Sequence, residues 1–289
     1  MSVTETTGPL LEIRDLRVEA RSASGMVVAV DSFDLDVDRG EVLGLIGESG
    51  SGKTTVVRSV LGLHERNVKI QRGSIRYAGE SVYDSVDPKP NGAQRSLRGR
   101  HIGMVFQSSR GSLNPVRKIG SQIREILRVH RGELSRSDIR HRVSEVLEQM
   151  GLDADRVAAS YPHQLSGGMC QRAAIAMAIA PEPELIIADE STSALDVTSQ
   201  AEVVDVLQQL VQRLDTTLLF VTHDLLLASE VCDRLVVMQR GRIVESGPTA
   251  QVLAKPSEEY TRRLIAAVPR WGTPAEKRPD VRSTLEVAP

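Results

Sequence analysis

Val42-Leu43-Gly44-Leu45-Ile46-Gly47-Glu48-Ser49-Gly50-Ser51-Gly52-Lys53-Thr54-Thr55 is the stretch that decides the fold of this chain. Val42 to Ile46 is an apolar run of the length of a buried strand, and Thr54 to Leu63 reads as a helix, so a glycine-rich loop joins strand to helix. Glycines let successive backbone N–H groups converge on an anion, and the following helix adds the positive end of its dipole. Such a loop binds a triphosphate largely through main chain. Gly47, Glu48, Ser49, Gly50, Ser51, Gly52, Lys53, Thr54 and Thr55 are therefore the candidate phosphate-binding residues. Lys53 is expected to reach the β and γ phosphates, and the Thr54 hydroxyl to ligate magnesium.

The 289 residues suffice for one large α/β domain or two small ones, with a core that needs no covalent staples. Two cysteines, Cys170 and Cys232, argue against a disulfide framework. Met1 to Pro9 is polar and lacks the layout of a signal peptide, and no apolar run approaches the ~18 residues of a membrane span, which predicts a cytosolic protein. The 36 basic and 38 acidic residues nearly cancel, so no global electrostatic footprint for nucleic acid is present. Arg95, Arg98, Arg100 and His101 form a local basic cluster that reads as a solvated loop, and an aromatic content of 3% disfavours base-stacking surfaces.

Leu10 to Glu19 and Val27 to Val37 alternate apolar and polar residues, predicting two antiparallel strands ahead of the glycine loop. Gly73 to Gly79 reads as a further strand, whereas Glu80 to Arg100 reads as loop because Pro88, Pro90, Asn91 and Gly92 punctuate it. His101 to Phe106 is a short strand that stops at Gln107. From Gly120 to Ala180 the pattern is helical: Ile139, Val143, Val146, Leu147 and Met150 recur behind a Ser137 or Asp138 cap, and Gly151 ends the run. Strand character returns at Leu185 to Ala188 and Thr217 to Thr222, with a helical stretch, Thr198 to Leu214, between them. Leu235 to Met238 and Arg242 to Glu245 read as a hairpin. The expected organisation is a flexible start over 1–9, a single unit over 10–269 with a helical insert at about 108–180, and a mobile tail over 270–289.

Leu185 to Ala188 feeds two consecutive acids at a strand's carboxyl end, where open α/β sheets place ligands. Neighbouring side chains there point opposite ways, so Asp189 is the candidate for the magnesium shell and Glu190 for polarising an attacking water. Leu218 to Val221 leads likewise into His223, whose imidazole either hydrogen-bonds a γ phosphate or is a surface residue. The Gln107 amide either holds magnesium and water or caps a turn. A second glycine loop, Ser166-Gly167-Gly168, opens the helix Met169 to Ala180 and forms another helix-start anion site.

Leu165-Ser166-Gly167-Gly168 followed by Gln171-Arg172, shortly before Asp189-Glu190, resembles the signature of ABC-type ATPase cassettes. The resemblance runs from about Leu10 to Pro269 in the family's order. Gly47 to Thr54 resembles its Walker A loop, Gln107 its Q-loop, Asp189 with Glu190 its Walker B end, Ser193-Ala194-Leu195-Asp196 its D-loop, and His223 its switch histidine. It implies an α/β fold: a P-loop NTPase core with a mostly parallel sheet, an N-terminal antiparallel β subdomain and an inserted helical subdomain. It also implies ATP and Mg2+ as ligands, catalytic roles for Glu190, His223, Gln107 and Lys53, and metal contacts from Thr54, Gln107 and Asp189. Two cassettes would pair head to tail, Ser166, Gly167 and Gly168 of one closing over the nucleotide of the other.

Ser112-Leu113-Asn114-Pro115, Met169-Cys170-Gln171-Arg172 and Glu259-Tyr260-Thr261-Arg262-Arg263-Leu264 resemble the dipeptide, oligopeptide and nickel importer subfamily. That resemblance implies an ATP-hydrolysing importer subunit for peptides or a related solute, at the cytoplasmic face of the cell membrane. Its implied partners are two transmembrane permease subunits, a second cassette and an extracytoplasmic solute-binding protein, and no nucleic acid. Three positions depart from the family: Ala20, beside Arg21, stands where an aromatic ring stacks on adenine, Met169 replaces the commoner glutamine, and Ser191 replaces a proline. No cysteine follows Cys232, so no iron–sulphur cluster of the kind some relatives carry is expected. The alternative is a soluble ABC ATPase acting on nucleic acid or ribosomes, which the modest Q-loop-to-signature segment, without sustained heptads, opposes. An ordinary P-loop kinase or GTPase is opposed by the signature and by the lack of an Asn-Lys-x-Asp motif.

Overall fold

A computed structural model of the chain describes residues 8–22, 25–87, 92–106, 109–189, 206 and 216–268. Strands β1 (Leu11–Ser22), β2 (Gly25–Val37), β4 (Val68–Tyr77) and β5 (Glu80–Asp84) form a four-stranded antiparallel sheet in the order β2-β1-β4-β5. A second, six-stranded sheet has the order β10-β9-β3-β8-β7-β6. Its strands are β3 (Val42–Ile46), β6 (Ile102–Val105), β7 (Leu185–Asp189), β8 (Thr217–Thr222), β9 (Arg234–Gln239) and β10 (Arg242–Pro248). All neighbours pair in parallel except the edge hairpin β9–β10.

The continuous apolar runs of the central strands follow from burial on both faces. Val42, Ile46, Ile186, Ala188, Leu218 and Phe220 point into one core, while Leu43, Leu45, Leu185, Ile187, Leu219 and Val221 point into another. The second core also receives the antiparallel sheet and Val56, Val57, Val60 and Leu61 of helix α1 (Lys53–Leu61). The first is covered by α4 (Ile119–His130), α5 (Arg136–Gln149), α6 (Ala154–Ala159), α7 (Gly167–Ile179) and α8 (Leu225–Val231). Short helices α2 (Gly92–Leu97), α3 (Ser109–Ser112) and α9 (Thr249–Ala254), with α10 (Glu259–Ala266) and a 3-10 turn over Pro162–Gln164, complete the described elements. Among the described residues no helix is long and apolar enough to cross a membrane.

Three local expectations are corrected. Glu80 to Arg100 is not loop throughout: β5 pairs with the edge of β4, and α2 packs against the end of α1. The last carbonyls of a helix need partners. Gln94 of α2 donates to the Ser59 carbonyl at 2.6 Å, and the Arg98 guanidinium to those of Leu61 and Gly62 at 2.8 and 2.9 Å, so polar residues taken for a solvated loop finish α1. The cap of α5 is Ser135 rather than Ser137 or Asp138: the Asp138 amide donates to the Ser135 hydroxyl and the Asp138 carboxylate accepts from the Ser135 amide. Helix α7 begins at Gly167, ahead of the expected Met169. The helical stretch expected over Thr198 to Leu214 and the tail over 270–289 lie outside the described residues, apart from Val206, which is helical.

Candidate nucleotide-binding site

The loop between β3 and α1 is a cradle lined by Ala29, Ser49, Gly50, Gly52, Lys53, Thr54 and Thr55, with a volume of about 230 Å³. Gly52 precedes α1 at φ 105°, a left-handed conformation, and a Cβ there would lie 2.5 Å from the Ala29 carbonyl oxygen. Gly47, at φ 155°, is pressed against the Met238 carbonyl of β9 in the same way. No side chain caps α1 and its first turn holds no acidic residue, so no carboxylate of the helix itself competes for its first amides.

Lys53 is buried, and its ammonium donates to the carbonyls of Gly47 at 2.8 Å and Glu48 at 3.0 Å, which curls the loop around the Nζ atom. The Thr54 hydroxyl donates to the Asp189 carboxylate at 3.1 Å across 135 residues of sequence, bringing the end of β7 to the first turn of α1. Asp189 is 4% exposed. A hydroxyl and a carboxylate side by side are hard oxygen donors of the kind magnesium takes when phosphate and water supply the rest of its shell, so this pair fits that ion.

His223 follows β8 and is exposed, lining a cavity with Ile46, Gly47 and Asp224. Its backbone is fixed on both sides: the Asp224 amide donates to the Thr222 hydroxyl at 3.0 Å, and the Asp224 carboxylate caps α8 by accepting from the Leu227 amide at 3.1 Å. The imidazole thus stands beside the start of the glycine loop.

Ser166, Gly167 and Gly168 do not line this cradle. Ser166 caps α7, accepting from the Met169 amide at 3.2 Å, and a Cβ on Gly167 would meet nothing within 4 Å. Gln107 and Glu190 lie outside the described residues, as do Ser191 and the stretch Ser193 to Asp196. Ala20 is half-buried in β1, opposite Val27 of β2 and Val68 of β4, while Arg21 is exposed opposite Met26, so small and aliphatic residues flank the position where the family's ring was expected.

Two contributors escaped the sequence reading. Ala29 reaches the cradle because β2 pairs irregularly with β1 between Val30 and Val28, and no local pattern announces that bulge. Tyr260 of α10 accepts a hydrogen bond from the Glu48 amide at 3.1 Å, across 212 residues. The tract around Tyr260 was legible only as a family mark.

Residues 30–193 match the family model described as ABC transporter. A protein of Brucella ovis named as a peptide import ATP-binding protein is 46% identical over 276 residues, covering 93% of this chain and 80% of that protein. One of Brucella abortus with the same kind of name is 40% identical over 286 residues, covering 99% and 85%. Among solved structures, the ATP-binding cassette MJ0796, a dimer in a post-hydrolysis state bound to ADP and Pi, superposes with a TM-score of 0.72 at 27% identity, covering 83% of this chain and 98% of that one. The protein cbiO1 of Clostridium perfringens, part of the ABC transporter complex cbiONQ, gives 0.72 at 26% identity, covering 91% and 97%. Family match, sequence identity and superposition agree over most of the chain, which belongs to the ABC transporter family as an ATP-hydrolysing cassette.

Proposed function

We propose that this chain powers a peptide importer by hydrolysing ATP bound at the Gly47 to Thr55 cradle, from the cytoplasmic face of the membrane. The hydrolytic part is carried by the Thr54–Asp189 hydrogen bond, which brings the two oxygen groups expected to hold a metal to the phosphate loop. Amides of Gly50 to Thr55 and the Lys53 ammonium would bind the β and γ phosphates, with Lys53 leaving the loop carbonyls for phosphate oxygens. Mg2+ held by Thr54, Asp189 and Gln107 would neutralise charge on the phosphates. The Glu190 carboxylate would orient water for in-line attack on the γ phosphorus and accept its proton as the bond to the β–γ bridging oxygen breaks, releasing ADP and phosphate. His223, beside Gly47, would donate a hydrogen bond to the γ phosphate.

The peptide assignment rests on the names of the Brucella relatives, and a second cassette on the dimeric MJ0796 structure. In such a pair Ser166, Gly167 and Gly168 would close over the partner cassette's nucleotide. An apolar groove of about 330 Å³ between sheet and helical layer, lined by Leu63, Ile102, Met104, Phe106, Ile126 and Met177 among others, supports docking of a permease segment. A separate extracytoplasmic binding protein would deliver the solute.

The test is reconstitution of this chain in proteoliposomes with the permease subunits that co-purify with it, supplied with the cognate binding protein. ATP-dependent uptake of labelled peptide, lost in Glu190→Gln, is expected. Uptake of a different solute class would overturn the peptide assignment. Salt-sensitive nucleic-acid binding without any permease partner would favour the soluble alternative.

A further inference from the structure

The phosphate loop is held from below by an element that no nucleotide-binding motif contains. Helix α10 lies against the start of the loop, and its Leu264, with Ala267 and Val268 just beyond it, shares a cavity with Gly47 and His223. Tyr260, 6% exposed, directs its phenol oxygen at the Glu48 amide. The same residue's carbonyl accepts from the Lys53 ammonium and, at 3.2 Å, from the Ser51 amide. Glu48 is thus tied at its N–H to α10 and at its C=O to the lysine and glycine turn of the cradle. Burial pushes the Tyr260 phenol's pKa up, against the opposing effect of the Glu48 amide's hydrogen bond, so the group stays a neutral hydroxyl throughout the working pH range.

We propose that Tyr260 is a positioning residue for ATP: its hydroxyl fixes the Glu48 peptide so that Lys53 and the loop amides are set for phosphate before nucleotide arrives. It touches no reacting atom. Glu48 itself is exposed and only the Tyr260 side of the bond is buried, so an amide deprived of that partner turns toward water, and the movement displaces the carbonyl that holds Lys53. Pre-set loop geometry lowers the ordering cost of binding, so loss of the hydroxyl weakens nucleotide affinity and leaves the chemical step, which depends on Glu190 and Asp189, largely alone. The anchor is itself anchored. The Glu245 carboxylate of β10 accepts from the Ser257 amide at 2.7 Å, the Ser257 hydroxyl at 2.9 Å and the Glu258 amide at 3.3 Å, pinning the start of α10 to the sheet.

The inference rests on the phosphate-loop reading of the proposed function, and the experiment separates the two. Binding of a fluorescent ATP analogue to the purified full-length chain is titrated for parent, Lys53→Ala and Tyr260→Phe, well below each melting temperature, together with KM for ATP and kcat in the reconstituted transporter. Phenylalanine keeps the packed ring and removes only the hydroxyl. Tyr260→Phe is expected to weaken binding and raise KM about fivefold, the effect of one lost hydrogen bond, with kcat within about twofold of the parent. Affinity and KM within twofold of the parent would overturn the proposal, as would a lowered melting temperature with unchanged affinity, the mark of a merely structural role. Failure of Lys53→Ala to weaken binding would instead overturn the phosphate-loop reading, and the positioning role with it.

Discussion

Helices α1 and α7 both start from glycine-containing loops, and the protein treats their first turns in opposite ways. At α1 no side chain caps the helix, and distant groups reach its first turn: Asp189 from β7 bonds Thr54 and Ala29 closes the rim, while the carbonyls of Gly47 and Glu48 in the loop itself take Lys53. At α7 the cap is local, Ser166 to Met169, and there is open space over Gly167. A glycine loop before a helix is thus only half a description of an anion site. The other half is what the rest of the chain brings to it, and this chain equips α1 while leaving α7 facing outward.

The severest way to break that contrast is to disable each loop separately and then mix the products. Lys53→Ala should cut ATP hydrolysis at least about 100-fold, since it removes a cation aimed at the transferring phosphoryl group. Gly167→Asp places an acid in open space in the first turn of a helix, where the dipole favours it, so the melting temperature should stay within about 2 °C of the parent. Its carboxylate would repel a phosphate presented by another molecule, and hydrolysis should again fall about 10- to 100-fold while nucleotide affinity of the isolated chain is unchanged. In an equimolar mixture of the two full-length variants, one combination restores a site made of an intact Lys53 loop and an intact signature loop. Random pairing should return about a quarter of the parent's sites. A mixture that stays inactive in a phosphate-release assay would show that the two loops do not complete each other across copies of this chain.

How far this contrast could be read beforehand depends on the reach of each interaction. Val42 to Thr55 carries its own fold in its order, because an apolar run, a glycine loop and a helix are local patterns, and the two-faced burial of β3, β7 and β8 follows from strands with no polar face. The expected α5 cap, Ser137 or Asp138, lies two or three residues past the real one because all three positions are polar and sit ahead of the apolar repeat, and only the geometry chooses Ser135. Helix α2 and strand β5 were hidden by the prolines and glycine of their neighbourhood: what stabilises them is α1's need for carbonyl partners and β4's open edge. Asp189 was found because a strand end announces itself, whereas Tyr260 was not, since nothing in the spacing of a helix 212 residues away tells which amide its phenol will meet.

A milder probe tests whether the support of the cradle extends to the start of α10. Burial raises the Glu245 pKa, but the nearby Thr261 side chain and the hydrogen bonds from the Ser257 amide and hydroxyl and the Glu258 amide together outweigh it, and the carboxyl ends below its ordinary range. A depressed pKa means that the bonded carboxylate contributes stability above the pKa of the unfolded chain and loses it as pH falls through the folded value. Glu245→Gln should therefore cost about 1.5 kcal/mol at neutral pH, the low end for a charge-assisted bond at a half-exposed site. In denaturant titrations the gap between parent and variant should narrow as the pH drops below the ordinary glutamate range. A gap that is constant with pH would mean that the charge of Glu245 holds nothing.

The smallest expected effect asks whether the helical layer beneath the signature loop can be loosened without touching the cradle. Ser135 and Asp138 are both exposed, and their reciprocal capping bonds lie at the far end of α5, which packs on α7. Ser135→Ala leaves one amide, that of Asp138, to water rather than to an apolar interior, so the loss should be near the lower limit for a capping residue, about 0.7 kcal/mol. Affinity for the fluorescent ATP analogue should not change, because among the described residues the Gly47 to Thr55 cradle meets β2, β7, the β9–β10 hairpin and α10, and not the cap of α5. If the weaker cap also weakened nucleotide binding, the two helix starts would be coupled through the first core, where Val143, Val146 and Leu147 of α5 meet Ile186 and Ala188 of the strand that ends at Asp189. The contrast between an equipped loop and an outward-facing one would then describe their contacts and not their energetics.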